Sequence, residues 1–323
     1  IFEELDMPGE WYLDRKEGKL YVYPSGDLKD KLYSLVIKDS NFINMNTANN
    51  VILDNLTFEV CSGSAIELTN STNNIIQNCT IRKIAGRGIY ILGGKNNGII
   101  FSIITAVDGN PIRIQGSDEE MGALIPSRHF VQNCHIYGDS TDIKDSVMAR
   151  RTVGTIFSHN LVQNSAAVGI YFFDCAEAIA EYNELTGGPR LVADSAPFYV
   201  SGNFTCRGNH IRYNYIHHTS IENTTSATIG IYFDDMNRDN LAYGNIINSV
   251  PTGFFTHNGQ EQAIYNNIIM NKISSGNLAV NDGLTYWFPA RDAQWADLVY
   301  TNSNWFELYF KGFVNPFSQP WAG

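Results

Sequence analysis

The chain is short of positive charge: 22 Lys and Arg stand against 33 Asp and Glu, a formal net charge of −11 at neutral pH. Phosphate backbones are held by clustered Lys and Arg, so this composition argues against nucleic acid as the partner. No apolar run reaches the roughly 18 residues that a spanning helix needs, so no membrane span is expected. The five cysteines, Cys61, Cys79, Cys134, Cys175 and Cys206, have neither metal-site spacing nor an even disulfide framework. Cys79 and Cys134 fall two repeats apart in the scheme below, roughly 9–10 Å, beyond the roughly 7 Å that a disulfide bridges. Both are expected to be buried thiols. The chain opens at Ile1 without Met and reads as part of a longer protein.

What is present is repetition. An apolar run ending in Asn recurs at Asn55, Asn78, Asn133, Asn160, Asn183, Asn214, Asn245 and Asn267, with Ser102 in one slot. Spacings of 23, 24, 31, 27, 23, 31, 31 and 22 residues are too irregular for leucine-rich or propeller units but suit coils with loops of variable length. They leave no room for helices between strands. The predicted fold is therefore all-β: a right-handed parallel β-helix, a single-stranded solenoid. The asparagines should line one inward turn and bond along the axis, where buried amides cost little. On that reading the Asn55 and Asn78 sequons are by-products of the repeat, whereas those at Asn70, Asn203 and Asn223 lie outside it.

A second signal falls between the asparagines: Gly88-Ile89-Tyr90, Gly169-Ile170-Tyr171, Pro197-Phe198-Tyr199, Gly230-Ile231-Tyr232 and Gly253-Phe254-Phe255. Strand alternation turns Ile170, Phe172, Phe198, Val200, Ile231 and Phe233 inward. Two outward rows remain, Tyr90, Tyr171, Tyr199, Tyr232 and Phe255 in one, and Leu92, Phe173, Ser201, Asp234 and His257 in the other. Aromatics beside a carboxylate and an imidazole suit a polysaccharide or other glycan, whose apolar ring faces pack on Tyr171, Tyr199 and Tyr232 while hydroxyls reach His257 and its neighbours. Alternatively the aromatics stack only on one another. No basic residue is expected in either row. Asp194 ends an insertion ahead of Tyr199, and Asp174 and Asp235 occupy matching slots. Asp194 and Asp234 are expected roughly 5–10 Å apart, which brackets both glycosidase geometries. His217, with His218, is placed at the edge of the same region.

Around this repeat, residues 1–30 read as a leading hairpin, 31–275 as the β-helix, and 276–323 as a tail that caps the open end or packs along the side. The polar stretch Gly116–Glu120 reads as a loop. Insertions at 187–194, 202–208 and 220–228 are expected to border the binding face.

The segments Leu5–Pro24, Ala193–His218 and Gly230–Asn245 resemble large secreted right-handed β-helix proteins of microbial polysaccharide breakdown, pectate-lyase-like in fold. The chain is most similar to glycoside hydrolase family 141, whose members act on plant cell-wall glycans as fucosidases or xylanases. The resemblance implies a catalytic aspartate pair at Asp194 and at Asp234 or Asp235. Where the family has Asp-Asp-Ala-Gly-Ala, this chain has Ala193-Asp194-Ser195-Ala196-Pro197, losing one acid and gaining a proline. The expected function is a secreted glycoside hydrolase, extracellular or periplasmic. Asp194, on a loop over the groove, would be the desolvated acid, and Asp234, open on the sheet, the ionised partner. A non-catalytic glycan-binding or structural β-helix is the alternative. A third reading is a polysaccharide lyase with calcium on Asp174, Asp194, Asp234 and Asp235; otherwise no cofactor is expected.

Overall fold

A computed structural model describes residues 2–29, 33–36, 39–138, 147–192, 194–202, 205–219, 228–235, 237–257 and 261–270, with the backbone of 278–281. The chain divides into two units, Ile1–Ile37 and the remainder. In the first, Trp11–Asp14 and Lys19–Val22 form an antiparallel hairpin across a turn containing Gly18. The tryptophans of the tail lie outside the described residues.

The larger unit is built from three parallel sheets. Each coil contributes one strand to every sheet, as in Ile75–Gln77, then Thr80–Ile84, then Ile89–Leu92. Each strand pairs with its equivalents in the coils before and after, giving sheets of 9, 9 and 10 strands among the described residues. The solenoid is the right-handed parallel β-helix that the spacing predicted. The polar stretch read as a loop is instead a short helix, Asp118–Gly122, and its start follows from a capping box in which Ser117 and Glu120 each bond the other's backbone N–H.

Alternation fills the lumen with columns of apolar side chains. In the third sheet Ile66, Ile89, Ile112, Val147, Ile170, Phe198, Ile231 and Phe254 stand in register, all nearly inaccessible. Each such side chain contributes about 1.5–3 kcal/mol by leaving water. Residue volume varies from coil to coil, and neighbours compensate: Phe157 stacks on Phe172 at 5.6 Å beside Ala149 and Ala180.

The asparagine line holds for the later coils. Asn160, Asn183, Asn214, Asn245 and Asn267 pass hydrogen bonds along the axis, each Nδ2 and backbone N–H of one rung donating to Oδ1 of the next. Each Nδ2 also donates to a carbonyl of the preceding coil, as Asn183 does to Phe157. In the earlier coils the expected register is one residue off. Asn55, Asn78 and Asn133 are exposed turn residues with φ near 55°, and the slot in line with the later asparagines holds Cys79, Ser102 and Cys134. Asn suits both places, since its side chain tolerates a left-handed backbone and also bonds neighbouring amides. The sequons at Asn55 and Asn78 are thus on the surface, not inside. All five cysteines are free and buried, as expected for Cys79 and Cys134.

A second internal ladder borders the other end of the first sheet. Asn74 bonds Asn97, whose backbone N–H donates to Nδ1 of His129; further on, Asn209, Asn240 and Gln262 repeat the pattern. Burial pushes the His129 imidazole down to about 4.

Candidate active site

The site lies on the outer face of the third sheet. Register, not sequence spacing, determines its rows. The first runs Glu67, Tyr90, Arg113, Met148, Tyr171, Tyr199, Tyr232, Phe255. The second runs Thr69, Leu92, Gln115, Arg150, Phe173, Ser201, with Asp234 and then His257 continuing it. The two outward rows therefore hold as predicted, and they are longer. Two of the coils that lack the Gly-Ile-Tyr signature place Arg113 and Arg150 where no basic residue was expected.

Asp234 is the hub. The backbone N–H of Asp234 bonds the Val200 carbonyl at 2.8 Å, extending the ladder one residue past Phe233. One carboxylate oxygen takes a hydrogen bond from Nδ1 of His257 at 2.6 Å. A carboxylate only accepts, so Nδ1 carries a proton. The other oxygen accepts from the Tyr199 hydroxyl. The charges of Asp234 and Asp194 both act on the Tyr232 hydroxyl. Tyr171 bonds Ser201 at 2.6 Å, fixing the next rung.

The aromatic column is tightly packed. Tyr171 and Tyr199 meet edge to face at 5.1 Å, Tyr199 and Tyr232 at 4.7 Å, and Tyr232 and Phe255 at 4.9 Å. Tyr199 is 8% and Tyr232 4% exposed, both packed with Val168 and Ala196. This corrects the expected open platform: residues flanking the strands fold over these rings, leaving Tyr171 the more accessible of the three. Burial raises both phenols far above their ordinary range. Asp234 adds to this at Tyr199, chiefly through its hydrogen bond, and the charges of Asp234 and Asp194 do so at Tyr232. Both therefore act as proton-holding donors.

The expected burial of the acids is also reversed. Asp234 is 8% exposed beneath Tyr199 and His257, which donate to it, whereas Asp194 is exposed. An outward position on a strand does not guarantee solvent when neighbouring side chains bond and enclose it. Asp194 lines a groove of about 890 Å³ with Tyr171, Tyr199, Val168 and Ser195 at one end and Glu67, Arg87 and Arg113 at the other. A groove of this size accommodates several sugar rings rather than one small ligand.

The remaining sequence-derived candidates separate from this centre. Asp174 and Asp235 occupy matching turn slots, with φ of 52° and 58°. Asp174 is buried and faces Arg151 at 3.8 Å, outside the groove lining. Asp235 follows the hub residue as a turn residue, beyond the end of the strand Ile229–Phe233. His217 ends a strand of the second sheet, where it bonds Glu184 at 3.1 Å and contacts Thr186 and His218. It belongs to that neighbouring sheet and not to the outward rows. Among the described residues no three acidic, histidine or cysteine side chains cluster as a metal site, so the proposed calcium ligands do not assemble.

Residues 41–203 match a family model described as the right handed beta helix region. No curated protein matches the chain in sequence. Among solved structures, an alginate lyase from Paenibacillus sp. str. FPU-7 is 12% identical over 74% of this chain and 99% of its own, with a TM-score of 0.44. The surface protein and adhesin PfbA of Streptococcus pneumoniae is 11% identical over 67% of this chain and 68% of its own, with a TM-score of 0.36. A tailspike protein of E. coli bacteriophage HK620, in complex with a pentasaccharide, is 9% identical over 76% of this chain and 58% of its own, with a TM-score of 0.35.

Proposed function

As the chain belongs to the right-handed β-helix family, a scaffold that by itself fixes no activity, we propose, from the groove that Asp194 lines and from Asp234 bonded behind its Tyr199 wall, that it is a secreted glycoside hydrolase acting on a polysaccharide. The observation that carries this reading is Tyr199, which lines the groove with Asp194 and donates its hydroxyl hydrogen bond to Asp234. We take Asp194 and Asp234 as a retaining pair, whose carboxyl groups stand about 5–5.5 Å apart. The resemblance to glycoside hydrolase family 141 supports the same pair.

In this reading Asp234 is the nucleophile, oriented by Tyr199 and His257, and Asp194 is the acid and base. Asp194 gives its proton to the glycosidic oxygen as the Asp234 carboxylate attacks the anomeric carbon; the bond to the leaving sugar breaks and a glycosyl ester forms. Asp194, now ionised, takes a proton from water, the water oxygen attacks the anomeric carbon, and the ester bond to Asp234 breaks. Asp235, one residue on, has no part in these steps.

The test is hydrolysis of a panel of plant cell-wall polysaccharides, with the product anomer read by NMR. Retention is expected. Inversion would reassign Asp234, and the absence of hydrolysis across the panel would favour a binding protein.

A lyase is the second reading, favoured by Arg113 and Arg150 in the outward rows, where a uronate carboxylate needs neutralising. Its strongest obstacle is that Tyr199 holds its proton too firmly to serve as the base. An ultraviolet-absorbing unsaturated product from uronate polymers would establish it.

A further inference from the structure

Away from the groove, a turn at the edge of the second sheet brings two imidazoles together. His217 ends the strand Tyr215–His217, and His218 is the turn residue after it. The matching turn residues of nearby coils are Asn164, Gly187 and Ser249, all left-handed, with φ of 55°, 74° and 56° against 51° at His218. Consecutive strand residues point to opposite faces, but the left-handed turn breaks that alternation. It sets the His218 ring beside the His217 ring, with centroids 5.0 Å apart and planes at 90°. The two Nδ1 atoms face each other at 2.7 Å. On its other side His217 is held in place: Nε2 meets Oε1 of Glu184 at 3.1 Å, and Tyr215 stacks on the ring at 4.2 Å. The Thr186 hydroxyl lies 3.3 Å from Nδ1. Because a carboxylate only accepts, Glu184 keeps a proton on Nε2 of His217, and in the neutral ring Nδ1 then holds a lone pair aimed at His218. His218 itself is exposed.

We propose that His217 and His218 form a two-imidazole site for a divalent transition-metal ion, with Cu²⁺ preferred. A carboxylate on the far ring nitrogen is the partner that fixes the tautomer of a metal-binding histidine and raises its basicity, and Glu184 occupies that place. Metal–nitrogen bonds of about 2.0–2.1 Å put two imidazoles on one ion roughly 3 Å apart at their nitrogens. The pair therefore needs only a small opening, which the exposed His218 ring supplies. Imidazole suits Cu²⁺, Ni²⁺ and Zn²⁺ rather than Ca²⁺ or Mg²⁺. Two ligands impose no closed tetrahedron, so the intrinsic order of affinities holds, with Cu²⁺ first. The remaining coordination positions stay open to water or to a donor atom of an incoming ligand. Two side chains ligate; Glu184 orients and does not. The site belongs to a different sheet from Asp194 and Asp234 and is independent of the hydrolase reading.

The test titrates the full chain at neutral pH with Cu²⁺, Ni²⁺ and Zn²⁺ in turn by calorimetry, and reads the Cu²⁺ complex by electron paramagnetic resonance. Cu²⁺ should bind tightest, in equimolar amount, with hyperfine structure from two imidazole nitrogens. Protons compete for the same lone pairs, so binding should weaken on acidification. His217→Asn and His218→Asn introduce a residue that other coils already carry at these places, Asn248 in register with His217 and Asn164 in the turn slot. Both variants should fold, and thermal melting checks it. Each should weaken Cu²⁺ binding roughly tenfold or more and abolish the two-nitrogen signal. Glu184→Ala should weaken binding about tenfold while keeping that signal. Failure to bind equimolar Cu²⁺, undiminished binding in either histidine variant, or Zn²⁺ bound more tightly than Cu²⁺ overturns the site. Full affinity in Glu184→Ala overturns the orienting role of that carboxylate.

Discussion

The strand Ile229–Phe233 shows two environments one residue apart. Phe233 faces the lumen, fully buried in register with Val200 and Thr256. Asp234, the next residue, faces outward and is almost as inaccessible, but it is enclosed by a tyrosine and a histidine that donate to it. Burial is similar and chemistry is opposite. The inner environment is non-directional and rewards volume; the outer one is directional and rewards donors aimed at two oxygens. Stability should therefore reside on the inner face and activity on the outer face of the same few residues.

Substituting Asp234→Asn should separate the two most sharply. The amide keeps the shape, so melting should change little, while kcat on a hydrolysable glycan falls about a thousandfold or more. A comparable fall in melting temperature would show that the outer cluster is part of the core. Phe233→Ala is the converse, expected to cost about 3–5 kcal/mol in denaturant unfolding. Any activity remaining per folded molecule should be close to normal. The smallest effect concerns the inner polar ladder. His129 titrates near 4 in the folded protein because it is buried, against an ordinary value of 6.5. The unfolded chain then binds the extra proton first as pH falls. Stability is full above 6.5 and lost progressively towards 4, by about 3 kcal/mol. His129→Asn would continue the ladder of Asn74 and Asn97 and should flatten that acid-side decline in melting temperature. An unchanged profile would assign the acid lability to the carboxylates.

Much of this was legible in the sequence because coils repeat. Alternation along one strand and the order of signals between strands suffice to put Asp234 beside His257, and the structure joins them. The misreadings have specific causes. Asn78 and Asn133 resembled rungs because asparagine serves a left-handed turn as well as a buried ladder, and the true rungs there are Cys79 and Cys134. Arg113 was missed because its coil reads Pro111-Ile112-Arg113, with neither glycine nor tyrosine to mark it. The covering of Tyr199 and Tyr232 depends on how residues outside the strand fold back, which periodicity within a strand does not encode. The helix at Asp118–Gly122 was readable, since Ser117 and Glu120 carry its start signal.

The asparagine ladder has a consequence for how such a chain changes in length. Asn183, Asn214 and Asn245 are separated by equal steps of 31 residues, and each makes the same bonds to the next. Excising residues 215–245 would bring Ile246, already in register with Tyr215, directly after Asn214, and Asn267 into the place of Asn245. The seam would be chemically unmarked, yet Tyr232 and Asp234 would be gone. Duplications and deletions of whole coils are therefore nearly silent for folding and decisive for chemistry, so descendants of one scaffold can exchange a reactive groove for an inert one in a single recombination.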